Sequence, residues 1–235
     1  MKEVVMRQGA EGNTLASNVG EDTMSKGNFI DSKVNRWASF VNAMHSCLKG
    51  AECTDDDIRK EMLGSVSKPT YGNPIQPFEN ALIRLKNLAT EVHNRGNKVI
   101  FIGNGGSAAI CSHMAVDWTK NGGIRSIALN DAPTLTCLSN DFGYEEVFAK
   151  QLEYYGREGD LAIIISSSGK SPNILAAAKW VNDSRIMQCV TFTGMHPRNA
   201  LRRKGVLNFY VPVMDYGFTE LTHACLLHSI VTVRW

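Results

Sequence analysis

KVIFIGNGGSAAICSHMAVDWTK, residues 98–120, decides the reading of this chain: a β-branched apolar run enters a Gly-rich turn, and a helix follows that carries His113 and Asp117. Residues four apart share a helix face, so this segment presents backbone N–H groups at a helix start and an imidazole–carboxylate pair above them. That combination points to a polar, phosphorylated ligand.

Outward from this stretch, short apolar runs alternate with helical patterns all the way to the C-terminus. Strands are predicted at 98–102 (KVIFI), 125–129 (RSIAL), 161–165 (LAIII), 188–192 (QCVTF) and 208–212 (NFYVP), with helices near 106–120, 133–140, 144–155, 172–182, 196–204 and 217–234. Strands this apolar are buried on both faces, so the expected architecture is α/β: a parallel sheet with helices on either side and ligands outside the strand carboxyl ends.

Before residue 98 the pattern is helical. Residues 1–28 are polar and aperiodic and read as a tail. From Asp31, a candidate N-cap, Val34, Trp37, Ala38, Val41, Met44 and Leu48 recur at helical spacing up to Gly50. Thr54 or Asp55 would cap a short helical segment, 67–77 reads as a Pro-interrupted loop, and Phe78–Arg95 is a second long helix with Phe78, Leu82, Leu85 and Leu88 on one side. The expected organisation is a tail at 1–28, N-terminal helices at 29–97 and an α/β domain at 98–235.

The 235 residues are 43% hydrophobic, enough for one sizeable core, with no apolar run long enough to span a bilayer. A net charge of +2, from 25 basic and 23 acidic residues, singles out neither nucleic acid nor a membrane surface as a partner. The N-terminal stretch has no apolar h-region, so a cytoplasmic location is expected. Cysteines 47, 53, 111, 137, 189 and 225 include no C-x2-C pair and are read as reduced, small buried hydrophobes.

Two loops carry the chemistry. GNGGS (103–107) follows the first strand directly, and its glycines with the helix-start N–H groups and Ser107 can hold an anion or a hydroxyl; taken alone it reads better as a structural turn. SSSGKS (166–171) again follows a strand and precedes a helix opened by Pro172, so four hydroxyls around one glycine form a neutral cradle for phosphate. Lys170 adds a cation to this loop, or else is a solvated loop lysine. In the C-terminal helix, ELTHACLLHSIV, Glu220, His223 and His228 interrupt an apolar pattern and need partners. His113 and Asp117 facing Glu220 and His228 would give four metal ligands or an acid/base constellation, whereas His223 reads equally as a hydrogen-bonded structural histidine.

These motifs, together with Asp131 in ALND, SNDFGYEEVFAKQL (139–152), GREGD (156–160) and TFTG (191–194), resemble in order and spacing the sugar-isomerase (SIS) domain family, and within it the phosphoheptose isomerases. The resemblance covers about Phe78 to the end. It implies a flavodoxin-like three-layer sandwich with a five-stranded parallel sheet, and a homotetramer with active sites at subunit interfaces. The implied reaction interconverts sedoheptulose 7-phosphate and D-glycero-D-manno-heptose 7-phosphate, the first step of nucleotide-activated heptose synthesis for lipopolysaccharide or other surface glycans. Ser166, Ser167, Ser168 and Ser171 match the family's phosphate loop; Asn104, Gly105, Ser107 and Asp131 match sugar-binding positions. Asp117 stands where a catalytic glutamate is usual, and His228 matches the catalytic histidine. Zinc, one per subunit, is implied on His113, Asp117, His228 and a glutamine replaced here by Glu220, which also falls among the substrate-binding positions.

Three departures stand out. Asp117 is one methylene shorter than glutamate, drawing the carboxylate back by roughly 1.5 Å. Glu220 adds a negative charge that favours a divalent cation. Gly217 and Phe218 replace a pair often polar or charged in relatives, which bears on sugar choice. The other classes open at this stage are an isomerase of a different sugar phosphate and a non-enzymatic SIS adaptor, which would not need both Asp117 and His228. A regulator with a DNA-reading helix-turn-helix is disfavoured, because the N-terminal helices lack a basic recognition face.

Overall fold

The computed structural model describes Asn42, 52–55 and 76–232. The tail at 1–28, the body of the expected helix at 31–50 apart from helical Asn42, the segment after Asp55 and the last residues, 233–235, lie outside them.

The sheet is built from β1 (Glu52–Asp55), β2 (Val99–Gly103), β3 (Ser126–Ala128), β4 (Leu161–Ser166), β5 (Gln188–Gly194) and β6 (Leu207–Val211), in the order β1-β6-β5-β4-β2-β3. The five strands from β2 onward are mutually parallel, in the flavodoxin-like order with the switch point between β2 and β4. Along β2 and β4 the side chains alternate between two cores. Val99, Phe101, Leu161, Ile163 and Ile165 point to one; Ile100, Ile102, Ala162 and Ile164 point to the other. That two-residue period, with apolar residues on both faces, is why the strands read as unbroken hydrophobic runs.

Helices α1 (Gln76–Asn94), α2 (Gly106–Lys120) and α6 (Tyr216–Thr232) cover the first face, through Leu85, Met114, Trp118 and Leu227. The second is covered by α3 (Ala132–Phe142), α4 (Val147–Tyr155), which a 3-10 turn at Tyr144–Glu146 precedes, and α5 (Pro172–Ser184), through Leu138, Phe148 and Ala177. At the amino ends of the strands, buried Asp160 receives the Lys98 ammonium, the Lys98 N–H at 3.0 Å and the Arg157 N–H at 2.9 Å, tying the start of β4 to that of β2. No helix among the described residues is long and apolar enough to cross a membrane.

Two local expectations are corrected. Thr54 and Asp55 lie in a strand rather than capping a helix: β1 pairs antiparallel with β6, Glu52 opposite Tyr210 and Asp55 opposite Leu207. The pairing satisfies backbone groups that β6 would otherwise leave open at the sheet edge. The expected helix at 196–204 is a run of turns. Asn199 donates to the carbonyls of Gly194 (3.2 Å) and His196 (3.0 Å) and accepts from the Arg202 N–H (2.8 Å), so side-chain bonds replace helical ones. Left-handed backbone at Met195 and Arg203 completes the break. Of the four cysteines whose side chains are described, all free, Cys111 and Cys189 are buried as expected, but Cys137 and Cys225 are exposed.

Candidate active site

At the switch point, the ends of β2 and β4 open into a cavity of about 250 Å³ lined by Asn104 to Ser107, Ile165 to Ser168, Ser171, Tyr216 and Glu220. Both predicted loops therefore meet in one place. The α5 end of the cavity is a hydrogen-bonding surface without a cation: Ser167 Oγ is buried with no hydrogen-bond partner among the described residues, and Ser171, at the N-cap position of α5, makes no side-chain cap bond. Hydroxyls left free beside helix-start N–H groups suit a phosphate. Lys170 is exposed, as expected of a solvated lysine. Gly169 holds the loop's turn at φ 60°, where a Cβ would also lie 2.0 Å from Asn199 Oδ1.

Glu220 brings the only carboxylate among the cavity-lining residues. It lies so close over the start of α2 that a Cβ on Gly106 would come within 2.2 Å of its Oε2. Asn104 is held by a reciprocal amide pair: its Nδ2 donates to Asn173 Oδ1 at 2.8 Å and its Oδ1 accepts from Asn173 Nδ2 at 3.0 Å. Tyr144 Oη donates to the same Oδ1 at 3.3 Å. Asn173 and Tyr216 escaped the sequence reading. The available signal for Asn173 was an amide directly after the Ser-rich loop, in the first turn of an otherwise apolar helix.

The second constellation joins α2 and α6. Asp117 Oδ2 lies 3.2 Å from His228 Nδ1 and 3.6 Å from His113 Nε2, and the two imidazole rings are 5.0 Å apart. Asn121 Nδ2 donates to the other carboxylate oxygen at 3.0 Å. The helices are locked by Trp118, buried between them, whose Nε1–H donates to the Leu227 carbonyl at 3.1 Å. Trp118 and Leu227 are the chain neighbours of Asp117 and His228, so this contact sets the pair directly.

Three of the four expected metal ligands come together: the donor atoms of His113, Asp117 and His228 lie within 4.8 Å of one another. Two imidazoles and a carboxylate are a donor set suited to zinc, with further coordination positions open. Glu220 is not in this group. It precedes His228 by eight residues, about 12 Å along the helix, and its carboxylate turns to the cavity. Asp131, expected among the sugar-binding positions, lies at the end of the loop after β3. It caps α3, accepting from the Thr134 N–H (3.2 Å) and hydroxyl (2.8 Å), and is not among the cavity-lining residues.

His223 is a core residue. It is fully buried, its Nε2 is 3.1 Å from the Thr193 carbonyl, and its ring stands edge-on to Phe192. Burial pushes its pKa down to about 4, partly opposed by the Thr193 bond, so the ring is neutral with Nε2 as donor.

The SIS domain family profile matches residues 76–194, beginning at α1 rather than at β2. A phosphoheptose isomerase of Aliarcobacter butzleri is 33% identical over 184 residues, covering 75% of this chain and 94% of its own. One of Burkholderia pseudomallei is 44% identical over 142 residues, 58% of this chain and 71% of its own. The solved phosphoheptose isomerase of Neisseria gonorrhoeae superposes with a TM-score of 0.64 at 25% identity, covering 85% of this chain and 97% of that one. On the profile match and on the 33% identity over 94% of the Aliarcobacter butzleri protein, the chain belongs to the SIS domain family and, within it, to the phosphoheptose isomerases.

Proposed function

We propose that this chain is an aldose–ketose isomerase converting sedoheptulose 7-phosphate to D-glycero-D-manno-heptose 7-phosphate, at the head of nucleotide-activated heptose synthesis for lipopolysaccharide or another surface glycan. The observation that carries the reading is the Asp117–His228 pair, two groups from different helices held at 3.2 Å. An adaptor would have no need of it.

The isomerisation moves one proton between C1 and C2 and another between their oxygens, so it asks for a base at carbon and an acid/base at oxygen. Asp117 takes the proton from one carbon and returns it to the next. His228, whose Nδ1 lies 3.2 Å from that carboxylate, serves the two oxygens. Ser166, Ser167, Ser168, Ser171 and the α5 N-terminus hold the phosphate, while Asn104, Gly105, Ser107 and Glu220 face the sugar. Zinc, when bound, would be held by His113, Asp117 and His228 and would polarise substrate oxygens.

Within one chain the cluster lies outside the cavity lining, with the His113 side chain 61% and the His228 side chain 40% exposed. Exposed Val116 on α2 and Leu221 on α6 extend this surface. These features support closure of the site by a neighbouring subunit in a homotetramer. The exposed free thiols of Cys137 and Cys225 fit a reducing cytoplasm.

The test is turnover of a panel of ketose phosphates followed by NMR. Sedoheptulose 7-phosphate should yield the heptose aldose; a folded protein that isomerises none of the panel overturns the reading.

A further inference from the structure

We infer that Asn173 and Tyr144 are positioning residues that commit Asn104 to act on the sugar as a hydrogen-bond donor; the identity of the ligand rests on the isomerase reading above. The orientation of the amides follows from the backbone. The Ile174 N–H can only donate, and it lies 2.9 Å from Asn173 Oδ1, which fixes the oxygen end of the Asn173 amide. Asn104 must then present Nδ2 to that oxygen, at 2.8 Å, and Oδ1 to Asn173 Nδ2, at 3.0 Å. With Asn104 Oδ1 fixed as an acceptor, the Tyr144 hydroxyl at 3.3 Å is its second donor, and the longer distance makes it the weaker one.

An amide has two acceptor lone pairs and two N–H donors. Asn104 has both lone pairs engaged and one N–H used, so a single N–H remains on a residue that lines the cavity. It can give a bond to a carbonyl or hydroxyl oxygen of the sugar but cannot accept one. Capping of α5 does not account for the arrangement, because the Ile174 bond engages only the oxygen of Asn173 and leaves its Nδ2 free for Asn104. Asn173 is 2% exposed, so its side of the part-buried pair is shielded from competing water. It also joins the loop after β2 to the start of α5, across the switch point where the ligand sits.

Calorimetry with sedoheptulose 7-phosphate, run beside inorganic phosphate, tests the inference. Asn173→Asp keeps an acceptor for the Ile174 N–H but loses the donor to Asn104, and should weaken sugar-phosphate binding about tenfold. Tyr144→Phe, at a half-exposed position, should weaken it about threefold without affecting folding. Inorganic phosphate should bind both variants as it binds the wild type, since Asn104 serves the sugar. Unchanged sugar-phosphate affinity in both variants overturns the positioning role, and so does a parallel loss of phosphate affinity, which would mark general damage to the Ser-rich loop. Wild-type turnover is read separately. A wild type that binds with these ratios but isomerises nothing overturns the isomerase reading alone, whereas one that binds no sugar phosphate overturns both.

Discussion

Three polar residues on α6 have three different fates, each set by what the side chain meets. His228 reaches Asp117, Glu220 the cavity and His223 the core. For His223 the folded pKa of about 4 lies below the 6.5 of the free side chain, so the unfolded chain binds the proton more tightly. Its contribution is complete above pH 6.5 and is lost as pH falls toward 4, about 3 kcal/mol in all. His223→Gln keeps an N–H for Thr193 and should flatten that part of the stability profile; denaturant midpoints with the same acid slope as wild type would refute the assignment. At the Ser-rich loop, Ser167→Ala should raise KM for the sugar phosphate about tenfold with kcat little changed, because a hydrogen bond to a charged group is lost while the catalytic pair stays intact. His228→Ala should instead lower kcat by about 100-fold or more. Atomic absorption on protein purified without chelator should also show zinc lost from this variant.

At the scale of elements, the catalytic pair depends on how α2 lies against α6. Trp118→Phe removes the bond to the Leu227 carbonyl, about 1 kcal/mol, while leaving most of the packing. It should therefore cost kcat more than stability, and a variant with wild-type kcat would show that the tryptophan does not position Asp117. The Asp160 junction at the opposite end of the strands offers a contrast. Asp160→Ala leaves the Lys98 ammonium with the Tyr155 carbonyl but no counter-charge and unpairs the Lys98 and Arg157 N–H groups, and should cost about 3 kcal/mol, with KM unchanged, because the junction lies at the end of the sheet away from the cavity. Elements also mark where periodicity misleads. The 196–204 segment has the composition of a short helix, yet Asn199 has carbonyls of Gly194 and His196 within reach and takes them instead. Glu52–Asp55 is a strand because β6 offers it an edge, a condition that local propensity does not contain.

For the whole molecule, the half-exposed cluster on α2 and α6 beside a separate phosphate cavity leads to an expectation about assembly: light scattering at micromolar concentration should find a tetramer, and a monomer with full activity would show that each chain closes its own site. The chain's sequence by itself determined the parallel α/β layout, because strands buried on both faces must be continuously apolar, as in LAIII and KVIFI. It also determined the two ligand loops, since a glycine- or serine-rich turn between such a strand and a helix has few other uses. What only the tertiary structure decided is which polar groups meet. Asp117 and His228 are over a hundred residues apart and become partners through the packing of Trp118 under Leu227. Asp131 was marked for the site only by the family resemblance and Glu220 by its place in an apolar helix; in the folded chain one caps α3 and the other enters the cavity. Asn173 carries no signal in its neighbours that it will face Asn104. Local pattern reports burial and backbone conformation, which are set within a few residues, whereas the pairing of side chains depends on helix rotation and packing that long-range contacts alone fix.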